Sequence, residues 1–309
     1  MSSFAGIGLK LFSTFLFAIM IAIIKILSDE IPTGEIVFSR CFFALVPLFV
    51  MSLFQGNLAD CVRTQHPWRH VFRSFVGAAA MFNWFLALKY LPLPEATAIS
   101  FAAPLLVVAL AAIFLGETVR IYRWSAVAIG FVGVFVILYP RLQESLSSNA
   151  GASQDENALF GVMAAMIATF LMSVASILVR RMTKTETNAS IIFYFFVATS
   201  VFALASLHWG WVLPDLQTFA LLVLSGIFGG VAQIAMTQAF RLAEASLLAP
   251  FDYFNMIWAL LIGILFFDEF PSLAVMIGGA IVVSAGLFVI LRERRLGQQK
   301  WSDRTLRSH

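Results

Sequence analysis

The sequence predicts an all-α membrane protein in which ten transmembrane helices form two inverted five-helix repeats. Three observations support this prediction: the apolar composition, the number of long apolar runs, and the distribution of basic residues along the chain. Of the 309 residues, 61% are hydrophobic and 12% are charged, a balance that soluble globular proteins do not have. The composition excludes a secreted disulfide scaffold, a nucleic-acid-binding domain and a disordered chain.

Ten apolar runs are bounded by charged residues, glycine and proline, and each is close to the length that crosses a bilayer as a helix. In the first half of the chain they are residues 6–27, 36–54, 71–88, 96–115 and 124–139. In the second half they are residues 158–179, 190–207, 216–240, 247–267 and 272–291. Strands of a membrane barrel would be shorter and would alternate apolar with polar residues, so the runs are predicted to be helices.

Basic residues are distributed unequally between the two ends of the predicted helices. With a cytoplasmic N-terminus, sixteen of the 20 Lys and Arg residues lie on the cytoplasmic side, where such an excess is usual. The other four are Lys25, Arg40, Lys89 and Arg141. An error of one span would scramble this asymmetry. It therefore supports ten spans, with both termini cytoplasmic, in a bacterial-type inner membrane.

A polar segment divides the chain into two similar halves. Residues 140–157 are rich in Ser, Gln and Asn and have no apolar periodicity, which predicts a loop. Lys89 and Arg241 each lie 28 residues before a glutamate, Glu117 or Glu269, that closes an apolar run. Five spans per half would give the two repeats opposite orientations, as in many secondary transporters. The predicted units are a first repeat at 1–143, a polar linker at 144–157, a second repeat at 158–292 and a basic tail at 293–309.

Short motifs recur at matching places in the two halves. The first half contains Lys25, Arg40, Ala-Leu-Lys-Tyr-Leu-Pro-Leu at 87–93, Glu-Ala-Thr at 95–97, Pro104 and Leu-Gly-Glu at 115–117. The second half contains Glu-Ala-Ser at 244–246, Ala-Pro at 249–250 and Phe-Asp-Glu at 267–269. On these motifs the chain resembles the EamA type of the drug/metabolite transporter superfamily over about residues 6–292, with Asp268 where that family usually has glycine. The resemblance implies a ten-helix bundle that moves small organic metabolites by alternating access.

Polar and aromatic residues inside the predicted spans are candidate substrate contacts, because a polar group in hydrocarbon is costly without a partner or a function. Amide and hydroxyl groups would fix the orientation of a ligand, and aromatic rings would form the walls of a central cavity. The alternative is hydrogen bonding between helices, or simple packing. The candidate substrate-binding residues are Asn83, Trp84, Phe101, Gln233, Tyr253, Asn255 and Trp258.

Asp252 is the one acid that lies well within a predicted span. It is a candidate for proton coupling or for binding an amine, and the alternative is a structural pair with Arg241. Pro104 and Pro250 interrupt backbone hydrogen bonding within their spans and are candidate hinges.

Lys25 and Arg40 lie in the outer halves of the first two spans and are candidates for recognising a carboxylate or phosphate. The alternative is pairing with Asp29, Glu30 or Glu35, together with snorkelling of the long side chains. Glu117 and Glu269 are expected to cap or pair with loop groups.

The predicted function is secondary-active transport of a small organic metabolite (amino acid, vitamin or nucleotide-derivative class) across the inner membrane by alternating access. The alternatives are a proton-coupled drug or amine exporter, a passive metabolite channel and an intramembrane enzyme. No catalytic residue, metal ligand set or cofactor motif is predicted, since the histidines lie in loops or near span ends and no phosphate-binding loop is present. The expected partners are a small-molecule substrate and the lipid bilayer, without nucleic acid. The oligomeric state is not determined, and a monomer is consistent with the sequence.

Overall fold

The computed structural model describes residues 2–54, 56, 61–103, 105–107, 109–110, 121–147, 153–182, 185–242, 248, 251–252 and 254–306. Within these ranges the chain has ten α-helices and a short 3-10 helix, and no strand. The helices are α1 (Ser2–Leu27), α2 (Thr33–Phe54), α3 (Pro67–Tyr90), α4 (Leu93–Ser100), α5 (Ile121–Ser147), α6 (Ser153–Met182), α7 (Asn188–Leu204), the 3-10 helix (Ala205–Trp209), α8 (Leu216–Leu242), α9 (Phe254–Phe267) and α10 (Leu273–Leu306).

The helices are long and apolar in the way that membrane spans require. Among the described residues, six stretches have the length and composition to cross a bilayer, and they belong to α1, α2, α3, α6, α7 and α8. Four shorter apolar stretches belong to α4, α5, α9 and α10. The all-helical prediction is therefore confirmed for the described chain.

Two of the predicted polar segments, the loop and the basic tail, are partly helical. Helix α5 continues through Pro140 to Ser147, and α6 begins at Ser153, so the loop predicted at 140–157 is wrong at both ends. Helix α10 likewise continues to Leu306, through most of the predicted tail. The physical reason is that Leu, Gln, Glu and Arg favour helix without any apolar pattern. Apolar periodicity marks only the part of a helix that is buried.

Span four is interrupted near its middle. Phe101 and Ala102 form a turn, with the Phe101 N–H donating to Ala98 at 3.3 Å and the Ala102 N–H donating to Ile99 at 3.1 Å. Helical structure resumes at Ala103. The interruption lies two residues before Pro104, which is itself outside the described residues. The other candidate hinge, Pro250, and the candidate substrate contact Tyr253 also lie outside the described residues.

Packing joins helices of the first half to helices of the second half. Helix α1 packs on α8, and α3 packs on α6; α2 packs on α8, and α3 packs on α7. Helices α1 and α9, and likewise α4 and α6, are in contact. The pairs α2–α7, α4–α9 and α5–α10 are also in contact, and so are α5–α6 and α4–α10. Exchanging α1–α5 for α6–α10 converts each of these pairs, apart from α5–α6 and α4–α10, into itself or into another of them.

The interior is filled by aliphatic and small side chains, and the perimeter is apolar. A central cluster includes Ile24, Leu88, Ala96 and Ala165, each no more than 1% exposed. Large apolar side chains such as that of Phe72 are exposed on the outside. Water does not favour such a surface, whereas lipid tails do.

Helices α5 and α10 touch through glycines. A Cβ atom added at Gly278 would lie 2.5 Å from the carbonyl oxygen of Gly133, and one added at Gly133 would lie 2.8 Å from that of Gly278. Small residues at such a crossing let two backbones approach closely in a membrane.

Candidate functional site

An ion pair between a buried lysine and a half-exposed aspartate joins the first helix to the segment before α9. Lys10 Nζ lies 2.5 Å from Asp252 Oδ1, and the Lys10 side chain is 2% exposed while that of Asp252 is 48% exposed. The partner of Asp252 is thus Lys10, and the side chain of Arg241, which the sequence suggested as a partner, lies outside the described side chains. An uncompensated ammonium at this position would be costly, so the pair fixes α1 against the second half of the chain.

Two hydrogen bonds continue this contact along one face of α1. Spacings of three and four residues put Lys10, Ser13 and Thr14 on the same side of the helix. The Ser13 hydroxyl donates to the Ala232 carbonyl at 2.9 Å, and Trp258 Nε1 donates to Thr14 Oγ1 at 3.2 Å. The candidate wall residue Trp258 is therefore tied to α1, with its ring edge-on to Phe15 at 5.3 Å.

A second ion pair joins the other end of α1 to the segment after α9. Lys25 Nζ lies 2.8 Å from Glu269 Oε1, with the two side chains 12% and 18% exposed. The ammonium also donates to the Leu91 carbonyl at 2.8 Å. Glu269 Oε2 accepts a hydrogen bond from the Leu93 N–H at 2.7 Å. The expected capping role of Glu269 is confirmed, and the matching Glu117 lies outside the described residues.

The turn that carries Glu269 has the backbone geometry of a glycine turn. Asp268 has φ +52°, a left-handed conformation that aspartate tolerates better than most residues. The Glu269 N–H donates to the Gly263 carbonyl at 2.9 Å. Asp268 therefore forms a tight turn of the kind in which glycine is common.

The three acids that the sequence suggested as partners of Lys25 and Arg40 do not pair with them in the described structure. Glu35 instead accepts a hydrogen bond from the Val212 N–H at 3.1 Å and fixes the loop before α8. Asp29 and Glu30 are exposed in the turn after α1.

Arg40 is buried without a carboxylate partner among the described residues. The residue is 5% exposed, and its Nε has no hydrogen-bond partner. Its guanidinium carbon lies 5.2 Å from the centre of the Phe196 ring, and Nη1 is 3.9 Å from the Cys41 sulfur. A Cβ added at Gly229 on α8 would lie 3.3 Å from Arg40 Nε, so the absence of a side chain there leaves room for the guanidinium.

Arg73, which the sequence suggested only as a cytoplasmic-side basic residue, is a second such guanidinium. Its Nε and Nη1 atoms are buried without hydrogen-bond partners. Its guanidinium carbon lies 3.9 Å from the centre of the Phe195 ring. A Cβ added at Gly77, one turn further along α3, would lie 3.5 Å from Arg73 Nη1. The side chain therefore extends along α3 away from the predicted cytoplasmic end of that helix.

The polar candidate substrate contacts do not hydrogen-bond to one another in the described part of the chain. Asn83 donates through Nδ2 to the Ala79 carbonyl of its own helix at 2.9 Å. The Gln233 carbonyl accepts from the Thr237 hydroxyl at 2.8 Å, while its side chain is half-buried, as is that of Asn255. Among the described hydrogen bonds, none joins Asn83, Gln233 and Asn255 to one another.

The aromatic candidates differ in burial. Trp84 is half-buried and packs on the central cluster. Phe101 is 7% exposed and packs with Val127, Val134 and Val282 of α5 and α10. Phe101 thus lies against α5 and α10, whereas Trp84 lies against the central cluster.

A cavity of about 210 Å³ lies between α2, α3 and α7. Its lining is apolar apart from the hydroxyls of Thr199 and Ser206. Thr199 is fully buried, and its Oγ1 has no hydrogen-bond partner. This cavity is smaller than the roughly 300–1,000 Å³ of typical ligand sites, and no sequence motif predicted it.

Comparison with known proteins identifies the family. The model of the EamA-like transporter family matches residues 4–139 and 159–292. A riboflavin transporter of Rhizobium johnstonii is 31% identical, over 85% of this chain and 83% of its own length. An S-adenosylmethionine uptake transporter of Rickettsia bellii is 27% identical, over 89% and 90%. A pseudopaline exporter of Pseudomonas aeruginosa is 27% identical, over 91% and 94%.

A solved crystal structure has the same fold at low sequence identity. It superposes with a TM-score of 0.65 at 21% identity and covers 94% of this chain and 98% of its own. The family resemblance seen in the motifs is confirmed, and so is the expectation that the protein is not an enzyme. The chain therefore belongs to the EamA-like transporter family, as a multi-pass membrane protein that transports small molecules.

Proposed function

We propose that the protein is a secondary-active carrier that moves a small organic metabolite across a bacterial inner membrane by alternating access, with both termini in the cytoplasm. The observation that carries the mechanism is that α1 is tied to both ends of α9. Lys10 pairs with Asp252 before α9, and Lys25 pairs with Glu269 after it. Fifteen residues of helix separate the two lysines, which is about 22 Å along the axis.

The two ion pairs act as gates at opposite faces of the membrane. Both are closed in the structure, so α1 and α9 are held together at each end. A substrate that enters from one face requires α1 and α9 to separate at that face while the other pair stays closed. Breaking one pair at a time is the elementary event of alternating access.

The packing pattern supports an arrangement of two inverted repeats. The main helix pairs are exchanged into one another when α1–α5 and α6–α10 are interchanged, which is what a pseudo-two-fold axis would produce. Contacts between loops also agree with the alternation of faces. Glu186, after α6, accepts hydrogen bonds from the loop before α3, as expected if both loops are cytoplasmic.

The proposed substrate is a metabolite held near the middle of the bundle, between the two repeats. Asn83, Gln233 and Asn255 would supply polar contacts, and Trp84 and Trp258 would supply apolar walls. The relatives named for S-adenosylmethionine, riboflavin and pseudopaline support a metabolite of moderate size. They include both uptake transporters and an exporter, so direction is part of the test.

Purified protein in liposomes tests the carrier function. Labelled S-adenosylmethionine, riboflavin and amino acids are offered at the outside, with unlabelled compound inside. A carrier gives saturable uptake that is accelerated by the internal compound, whereas flux through a channel neither saturates nor shows this counterflow. Protein-free liposomes are the control. Uptake equal to that control for the whole panel would contradict the proposal.

The Lys10–Asp252 pair also favours a second candidate, proton-coupled export, because an acid that must release a lysine can exchange a proton as it does so. Asp252→Asn would then abolish the dependence of transport on an imposed pH gradient. Glu30→Gln, a change at an exposed acid, is the matched control and should transport like wild type. An Asp252→Asn protein that keeps its full pH dependence would remove this mechanism.

A further inference from the structure

We propose that Arg40 and Arg73 together form the binding site for a carboxylate or phosphate group of the transported substrate. The inference rests on the proposed carrier function and adds the chemical class of the substrate, an organic anion. It starts from two guanidinium groups that lie inside the helix bundle with buried, unpaired N–H groups.

Charge is the first argument. The described ion pairs of the protein involve Lys10, Lys25 and His70, and within the described chain no carboxylate lies within salt-bridge distance of either arginine. The two guanidinium groups lie over neighbouring rings, Phe196 and Phe195, whose centres are 5.7 Å apart. Two like charges without a counter-ion are costly inside a membrane protein, so the arrangement calls for an anion.

The aromatic contacts do not replace that anion. Arg40 lies over the Phe196 ring and Arg73 over the Phe195 ring, and these neighbouring rings are 5.7 Å apart. A ring face attracts a cation but accepts no in-plane N–H hydrogen bond. The rings therefore hold the two planar groups in position and leave their N–H edges available for an oxyanion, which guanidinium binds in a two-pronged geometry.

Position is the second argument. Arg40 on α2 contacts Phe196 of α7 and lies beside Gly229 of α8, which also approaches Met20 of α1. The site is thus enclosed by helices of both halves, where secondary transporters built from repeats bind their substrates. Arg73 reaches it from α3 by extending past Gly77, away from the predicted cytoplasmic end of α3. An arginine that merely snorkels would extend the other way.

Space and a further polar group lie close by. The cavity between α2, α3 and α7 is lined by Val37, one turn before Arg40, and by Thr199, one turn after Phe196. The buried Thr199 hydroxyl has no partner and would serve as an additional donor. The cavity would hold the uncharged part of a ligand whose anionic group lies between the two arginines.

Thermal unfolding of the full-length protein in detergent tests the site. The probes are sodium acetate, phosphate and sulfate, compared with sodium chloride at the same ionic strength. A specifically bound anion raises Tm in a saturable way. The expected result is saturable stabilisation of wild type, with the half-maximal anion concentration raised about tenfold or more in Arg40→Gln and Arg73→Gln. Arg69→Gln, an exposed arginine one turn before Arg73, is the matched control and should behave like wild type.

Four outcomes would overturn the proposal. Equal stabilisation of wild type and both variants would mean general salting-out, and no saturable stabilisation would mean no site. Stabilisation of wild type, but not of the variants, by phosphatidylglycerol in nanodiscs without any effect of soluble anions would assign the arginines to a lipid headgroup. If Arg40→Gln does not fold, Arg40→Lys keeps the charge and loses the two-pronged geometry, and an unchanged half-maximal concentration in that variant would also contradict the site.

The same measurements separate this proposal from the carrier function. Transport of neutral metabolites by a protein without anion stabilisation would remove the anion site and leave the carrier. Anion stabilisation that depends on both arginines, in a protein that transports no member of the panel, would leave the site and remove the carrier.

Discussion

In the Lys25–Glu269 pair, the effect of the charges can be separated from the effect of the hydrogen bond that Glu269 accepts from the Leu93 N–H. Glu269→Gln keeps an oxygen that accepts from the Leu93 N–H but removes the charge, and Lys25→Met removes the other charge. Each single change leaves one partly buried charge uncompensated. We expect each to destabilise the protein by roughly 1–3 kcal/mol, below the 3–5 kcal/mol of a fully buried pair, because the side chains are 12% and 18% exposed.

The double variant Lys25→Met with Glu269→Gln tests the coupling. It leaves no unpaired charge, so its Tm should lie closer to wild type than the sum of the single effects. Lys89→Met is the matched control and should change Tm little. This lysine is exposed and lies on α3, two residues before the Leu91 that Lys25 contacts. Additive losses in the double variant would show that the two side chains act independently.

Glu186 gives a prediction for the pH dependence of stability. Burial alone would raise the pKa of Glu186, but hydrogen bonds from the Thr64 hydroxyl and the Gln65 N–H, with His70 nearby, lower it. Stability from a lowered carboxyl pKa is complete above the ordinary value of 4.5 and is lost as pH falls through the folded-state pKa. The Tm advantage of wild type over Glu186→Gln should therefore shrink as pH falls below about 4.5. Glu30→Gln should follow the wild-type profile, and a Tm difference that grows below about pH 4.5 would contradict the assignment.

At this scale the sequence predicted residue types better than partners. The cost of charge in a membrane was enough to single out Asp252, Arg40 and Lys25. Their partners come from other helices, and no local spacing indicates which helices touch. Lys10 could have been placed in the interior from the sequence, because the polar residues Ser13 and Thr14 lie on the same face of its helix. Arg73 was assigned to the cytoplasmic side because a basic residue at the end of a span usually extends to the membrane surface. Its side chain instead extends along α3 into the bundle.

At the scale of elements, the existence of the helices was predictable and their ends were not. Apolar runs mark the portion in lipid, so α3 and α8 lie close to their predicted spans. Helix α5 runs beyond its apolar part to Ser147, because good helix formers continue a helix in water. The interruption at Phe101 and Ala102 agrees with a proline at 104, because proline has no N–H to donate to the Ser100 carbonyl four residues earlier and its ring clashes with that carbonyl, so α4 ends at Ser100.

The contact between α5 and α10 gives a prediction for a pair of elements. Gly278→Ala would place a Cβ against the Gly133 carbonyl, and backbone cannot move aside as a flexible side chain can. We expect a loss of roughly 1–3 kcal/mol of stability, measured as a lower Tm in detergent. Gly8→Ala on α1 has no atom within 4 Å of the added Cβ and is the matched control, expected to be neutral or slightly stabilising from helix propensity. Equal effects of the two changes would mean that α5 and α10 do not approach as described.

Across the whole molecule, the polar division of the sequence into halves predicts which helices correspond. Most helix pairs between the halves are exchanged by that correspondence, whereas α5–α6 and α4–α10 are not. What the sequence could not supply is the partner of each helix, because close packing in a membrane depends on shape and small residues rather than on hydrophobicity.

The orientation of the two repeats gives the last prediction. In a background of Cys41→Ser and Cys61→Ser, single cysteines are introduced at four exposed loop positions, Asp29 and Gln65 in the first repeat and Thr185 and Leu213 in the second. With both termini cytoplasmic, a membrane-impermeant maleimide should label Asp29→Cys and Leu213→Cys in intact cells. Gln65→Cys and Thr185→Cys should react only after the membrane is permeabilised, which also serves as the control for intrinsic reactivity.

Reversal of all four results would invert the orientation and leave the repeats opposed. Labelling of both first-repeat positions from the same side would contradict the membrane crossing of α2, and labelling of Asp29→Cys and Leu213→Cys from different sides would contradict the inverted arrangement itself.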